Sequence, residues 1–107
     1  MDLPTMAVLL VVGHILADYA LQGDFMARAK NHRTPVPGVP WTTVLVSHAA
    51  THAASVYLVT GSLALGAIEL VCHTLIDWAK CDRRLSFNTD QALHVGMKVC
   101  YVLWLTP

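Results

Sequence analysis

The sequence predicts an all-α protein: an antiparallel bundle of four membrane-crossing helices joined by short loops, forming one domain over residues 1–107. Three observations carry that expectation. Four apolar segments, at about residues 3–22, 41–60, 62–78 and 89–105, are each 17 to 20 residues long, close to the ~20 that a helix needs to cross a bilayer. Hydrophobic residues make up 55% of the chain and charged residues only 13%, about half the usual charged share. Finally, Arg28, Lys30 and Arg33 follow the first segment, and Lys80, Arg83 and Arg84 follow the third. Six of the seven Lys and Arg residues thus fall on alternate loops, the pattern of the positive-inside rule. A bundle in water has no reason to sort charge this way. The expected topology puts both termini outside, with linkers 23–40 and 79–88 cytoplasmic.

Taken in order, the first segment opens with Asp2 as N-cap and Pro4 in the first turn. It lacks a basic leader and carries His14 and Asp18, so it does not read as a cleavable signal peptide. The linker "GDFMARAKNHRTPVPGVP" is polar at first. Its first half is expected to continue the helix as an amphipathic interfacial turn, with Phe25 and Met26 in the headgroups. Its second half, with Pro35, Pro37 and Pro40, is expected to be irregular, and His32 to lie there as a bystander. The second and third segments are separated by "VTGSL", which leaves room only for a tight hairpin. The fourth is the least apolar. Cys72, Cys81 and Cys100 are odd in number and form no C-x-x-C pair, so no disulfide framework is expected. A net charge of zero gives no field to recruit nucleic acid.

Each apolar segment carries one pair of ionisable residues four apart: His14 and Asp18, His48 and His52, His73 and Asp77, Asp90 and His94. Spacing of i, i+4 stacks both side chains on one helix face. That is how helical bundles present metal ligands to a common centre. With helices of alternating direction, all four pairs fall in the cytoplasmic halves, at one level. Ionisable groups inside a membrane usually mark function, and Asp and neutral His suit zinc, manganese or iron. Eight donors exceed the need of one zinc, so one or two ions are expected, with a proton relay or a structural polar network as the alternative. Glu69 and Lys98 extend the same faces by one turn at matched depth, and read first as a buried ion pair. The sharper reading makes Glu69 a base and Lys98 a phosphate-steadying cation.

"GHILADYALQGDFMARAK", "SHAATHA", "HTLIDWAK" and "DQALH" together resemble an uncharacterised family, a domain of unknown function, of small His- and Asp-rich membrane proteins from bacteria and phages. In style it is similar to membrane-bound metal-dependent hydrolases of the YdjM type. The resemblance implies a helical protein of the bacterial inner membrane and hints at hydrolysis, without a known substrate. Its matched positions here are His14, Asp18, Gln22, His48, His52, His73, Asp77, Asp90, Gln91 and His94.

The first functional expectation is a metal-dependent hydrolase opening to the cytoplasmic leaflet, with a divalent metal (zinc first, then manganese or iron). Asp18, Asp77 or Asp90, whichever is not a ligand, would serve as base or orient a ligating histidine. Membrane lipid is the expected partner and a lipid or lipid-linked phosphoester the expected substrate, with oligomerisation left open. The second is a metal or proton transporter or channel, which an uninterrupted polar path to the outer face would favour. The third is a non-catalytic, phage-type membrane module with a structural metal.

Overall fold

The computed structural model describes all 107 residues, Met1–Pro107. It is all-α, with five helices and no strand: α1 (Leu3–Ile15), α2 (Gly23–Ala29), α3 (Trp41–Thr60), α4 (Leu63–Cys81) and α5 (Phe87–Trp104). The expected first segment is not one continuous α-helix. After α1 the chain widens into a π turn over Leu16–Ala20, and the first half of the linker is a separate short helix, α2. Gly23, at φ 66°, permits the break between them.

Local chemistry sets the ends. Asp2 accepts from the Thr5 backbone N–H at 2.8 Å, Ser62 from Leu65 at 3.2 Å and Ser86 from Thr89 at 3.1 Å, each satisfying an otherwise free first-turn donor. Gly61, left-handed at φ 70°, closes α3 and turns the chain directly into α4. That is the expected tight hairpin. The two helices lie close because Gly66 faces the backbone: a Cβ there would stand 3.3 Å from the Ala53 carbonyl oxygen. Around the bundle, α1 packs on α3, α3 on α4, α4 on α5, and α5 back on α1. The result is a closed ring of four long helices measuring 48 × 23 × 22 Å.

Half of the bundle's buried residues are polar or charged, ten of them against nine hydrophobic, whereas Val8, Val12, Leu58, Val71, Leu75, Val99 and Leu103 are exposed. The buried apolar cluster of Leu10, Val56, Leu65 and Tyr101 closes one end. One helical stretch, Leu3–Ala20, is long and apolar enough to cross a membrane, with a mean hydropathy of 1.6. The other long helices fall below that level, each carrying at least two inward-facing ionisable residues that lower the mean.

Candidate metal centre

The four pairs converge. Asp18, on the π turn, accepts on Oδ1 from His48 Nε2 at 3.2 Å and from His52 Nε2 at 2.9 Å. Its other oxygen accepts from Gln91 Nε2 at 3.0 Å. Asp77 Oδ1 accepts from His94 Nε2 at 3.0 Å. Its Oδ2 lies 3.5 Å from His48 Nε2 and 3.4 Å from His73 Nε2. Asp90 Oδ1 is 3.3 Å from His94 Nε2. Five imidazoles therefore gather in the middle of the bundle: His52, His73 and His94 stack, with ring centres 3.7 Å apart for His52 and His73 and 4.0 Å for His73 and His94, while His48 meets them edge-on and His14 tilted. None is more than 2% exposed.

Three sets of side chains could each hold an ion, with donor atoms within 4.8 Å of one another: Asp18, His48, His52 and His73; Asp77, Asp90 and His94; Glu69, His73 and His94. Three imidazoles and one carboxylate match the ligand chemistry of zinc and its neighbours. Two separations within the first set come close to the required geometry, Asp18 Oδ1 lying 3.2 Å from His48 Nε2 and 2.9 Å from His52 Nε2, where bonds of about 2.1 Å in a tetrahedron put ligand atoms roughly 3.4 Å apart. His14, expected as a ligand, stands beside these sets rather than in one. Its Nε2 is 3.4 Å from Asp18 Oδ2, but its hydrogen bond goes to Gln91 Oε1 at 2.9 Å.

His73 gives the clearest electrostatic signal. Its Nδ1–H donates to Glu69 Oε1 at 3.1 Å. In the neutral ring Nε2 is then a bare lone pair, without a hydrogen-bond partner and facing a carboxylate oxygen of Asp77. Two acceptors facing each other away from water repel, and a cation taken up by His73 Nε2 together with Asp18, His48 and His52 would remove the conflict. His14 Nδ1, His48 Nδ1, His52 Nδ1 and Asp90 Oδ1 are likewise buried without partners. Five such atoms in one cluster are as many as a whole chain of this size normally carries. A carboxylate–histidine contact of the Glu69–His73 kind also fixes the tautomer and orientation of metal-ligating rings.

Glu69 and Lys98 meet as expected, through a direct hydrogen bond from Nζ to Oε1. Tyr101 donates to the other carboxylate oxygen at 2.6 Å. Tyr101 went unrecognised in the sequence, although it continues the face of His94 and Lys98 at i+7 and i+3. Lys30 was unrecognised as well, and its expected place needs correcting. Read as a cytoplasmic loop charge, it is only 8% exposed, and its Nζ donates to Asp77 Oδ2 at 2.8 Å. No local pattern distinguishes it from Arg28 or Arg33.

His32 is no bystander either. It stacks on Trp78 at an interplanar angle of 8°, and its Nε2 lies 3.0 Å from Asp82 Oδ1. Arg33 and Arg84 donate to the same carboxylate at 2.9 and 2.7 Å. Hydrogen bonds from Arg84, His32 and Arg33, in that order, hold the Asp82 carboxyl well below the usual carboxylate range. Residues 30–33 thus strap the linker across the end of α4, over the centre.

No curated protein matches the chain, and no solved structure does. Residues 6–106 match the family described as "Protein of unknown function (DUF3307)", and because that match spans nearly the whole length, the chain belongs to this family.

Proposed function

We propose that the protein is a multi-pass membrane metalloprotein and that its centre is hydrolytic, acting on an ester or phosphoester at the headgroup level of the cytoplasmic leaflet. The observation that carries the metal reading is His73, whose bare Nε2 faces a carboxylate oxygen while Glu69 fixes the opposite side of the ring. The membrane reading is supported by the inverted distribution of polarity, with ionisable groups inside and large apolar side chains outside. At about 1.5 Å per residue, the twenty residues of α3 span roughly 30 Å, the thickness of the hydrocarbon layer. Trp41, Trp78, Arg33 and Arg84 gather near one end, as in the aromatic and basic belts of membrane proteins.

Asp18, His48, His52 and His73 would hold a divalent ion, which when bound supplies Lewis acidity and lowers the pKa of a coordinated water towards neutrality. Asp90, with Oδ1 free of hydrogen bonds, is placed to take up a proton. Glu69, bonded by three donors, is a positioning residue for His73 rather than the base. Asp18 is the most open of these carboxylates, its side chain 11% exposed against 4% for Asp77 and 2% for Asp90, so substrate would approach from its side. A transit path is disfavoured because the polar chain stops at Leu10, Val56, Leu65 and Tyr101.

Elemental analysis of detergent-purified protein, with phospholipid and soluble phosphoesters as substrates, tests the reading. Wild type should carry metal and hydrolyse the lipid substrate in preference. His48→Ala should lose both. Asp90→Asn should keep the metal and lose roughly 10²–10⁴ in turnover, the usual contribution of a general base. Full metal loading with no hydrolysis of any ester would overturn the hydrolase assignment, and wild type without metal would overturn the centre itself.

A further inference from the structure

We infer that the centre takes one divalent ion, in the set formed by Asp18, His48, His52 and His73, and that the Lys30 ammonium fills the place a second ion would take. This rests on the metal reading above, and adds to it the number of ions and the residue that limits it.

The argument is one of local charge. Four carboxylates, Asp18, Glu69, Asp77 and Asp90, are drawn into the bundle. Glu69 is matched by Lys98. Asp77 is matched by Lys30, its Nζ 2.8 Å from Oδ2, the length of a charged hydrogen bond. Asp90 has Lys80, half-buried at the rim, 3.9 Å from Oδ2. Asp18 alone has no ammonium or guanidinium, and its hydrogen bonds come from His48, His52 and Gln91. The uncompensated negative charge therefore sits on the one set that also offers three imidazoles. In a low-dielectric interior an unbalanced charge is strongly disfavoured, and an ion settles where it is relieved.

The set of Asp77, Asp90 and His94 has the donors for a second ion but lacks the charge to hold one. Its two carboxylates already face two ammonium groups. A divalent ion there would meet the Lys30 ammonium across the shared Asp77 carboxylate, at a few ångströms and with little solvent to screen the repulsion. The position of Lys30 is built rather than incidental: α2 ends one residue before it, and the strap at His32 and Arg33 fastens the chain immediately after it.

The test is metal stoichiometry. Detergent-purified protein is equilibrated with Zn²⁺ or Mn²⁺, freed of unbound metal and analysed for metal per chain. Wild type should hold one ion and Lys30→Met two. Lys30→Arg, which keeps the charge, should stay at one, and Lys30→Met with Asp90→Asn should return to one. Should Lys30→Met fail to fold, judged by far-UV circular dichroism and gel filtration, Lys30→Gln replaces it. A Co²⁺ titration of wild type, followed by visible absorption, should break at one equivalent. A break at two, or a Lys30→Met or Lys30→Gln protein that still takes one ion, overturns the inference while leaving the metal centre standing. A wild type that binds none overturns both.

Discussion

Replacing Lys98 by methionine keeps the side chain's length and removes its charge, leaving Glu69 ionised in a site where both residues are 1–2% exposed. Breaking one side of a buried pair in this way costs about 3–5 kcal/mol. Glu69→Leu should cost at least as much, because it strands the Lys98 ammonium and removes the acceptor used by Tyr101 and His73. The double variant leaves no unpaired charge. What remains is two neutral donors without an acceptor, each worth about 1–3 kcal/mol, so its loss should fall well short of the two single losses added together. Equilibrium unfolding of the detergent-solubilised protein in SDS, followed by circular dichroism, gives the coupling. The same variants separate stability from metal binding. Lys98→Met retains the Glu69–His73 bond and should hold metal nearly as wild type does, despite its instability. Glu69→Leu/Lys98→Met recovers much of the stability but should bind metal some 10–100-fold more weakly, the usual effect of losing the partner that orients a ligating histidine. Additive stability losses, or metal affinity unmoved in the double variant, would refute the account of this pair and of its link to His73.

Gly66→Val places side-chain atoms against the Ala53 carbonyl and the Tyr57 Cβ, each 3.3 Å from the first added carbon, and should lower stability by about 1–3 kcal/mol in the same unfolding assay. The Asp82 carboxyl has its pKa lowered by folding, so its contribution is fully present above its unfolded value near 3.9 and is lost as pH falls through the lower folded value. Near-UV circular dichroism of the tryptophans, which reports the packing of Trp78 rather than quenching, should accordingly persist from neutral pH down to about 4, and Asp82→Asn should lose it at neutral pH; loss of the wild-type signal near pH 6 would contradict this. In a background without Cys72, Cys81 and Cys100, Thr34→Cys should be shielded from an impermeant thiol reagent in intact cells and Thr106→Cys labelled. The reverse pattern would invert the topology.

Much of this was legible in the sequence because helical periodicity is strict. Once His14 and Asp18, His48 and His52, His73 and Asp77, and Asp90 and His94 are seen as i, i+4 pairs at one level, a ring of antiparallel helices brings them together. Glu69 and Lys98 follow by the same arithmetic. Lys30 and His32 were illegible for a physical reason. Both sit where the backbone has left regular geometry, and nothing in the residues around them says that a linker folds back over a helix end. The π turn was hidden as well, since Leu16 to Ala20 has no proline or glycine to mark a break. The withdrawal of His14 from the ligand sets depends on Gln91, a neutral residue that only a three-dimensional contact reveals as its partner.

The π turn at Leu16–Ala20 bears on which changes in length the chain can accept. It places the Leu21 N–H on the Leu16 carbonyl at 2.9 Å, five residues back, so it holds one residue more than the same stretch of α-helix. Removing that residue would restore ordinary helix and re-aim the side chains that lie within the turn. Asp18 would then leave His48 and His52. Substitution of the outward side chains here leaves that register untouched, whereas insertion or deletion destroys it. The stretch Thr34–Val39 faces no such restriction, since it carries none of the centre's side chains. Between α1 and α3, then, two stretches differ in kind: one must keep its residue count, and the other is free to lengthen.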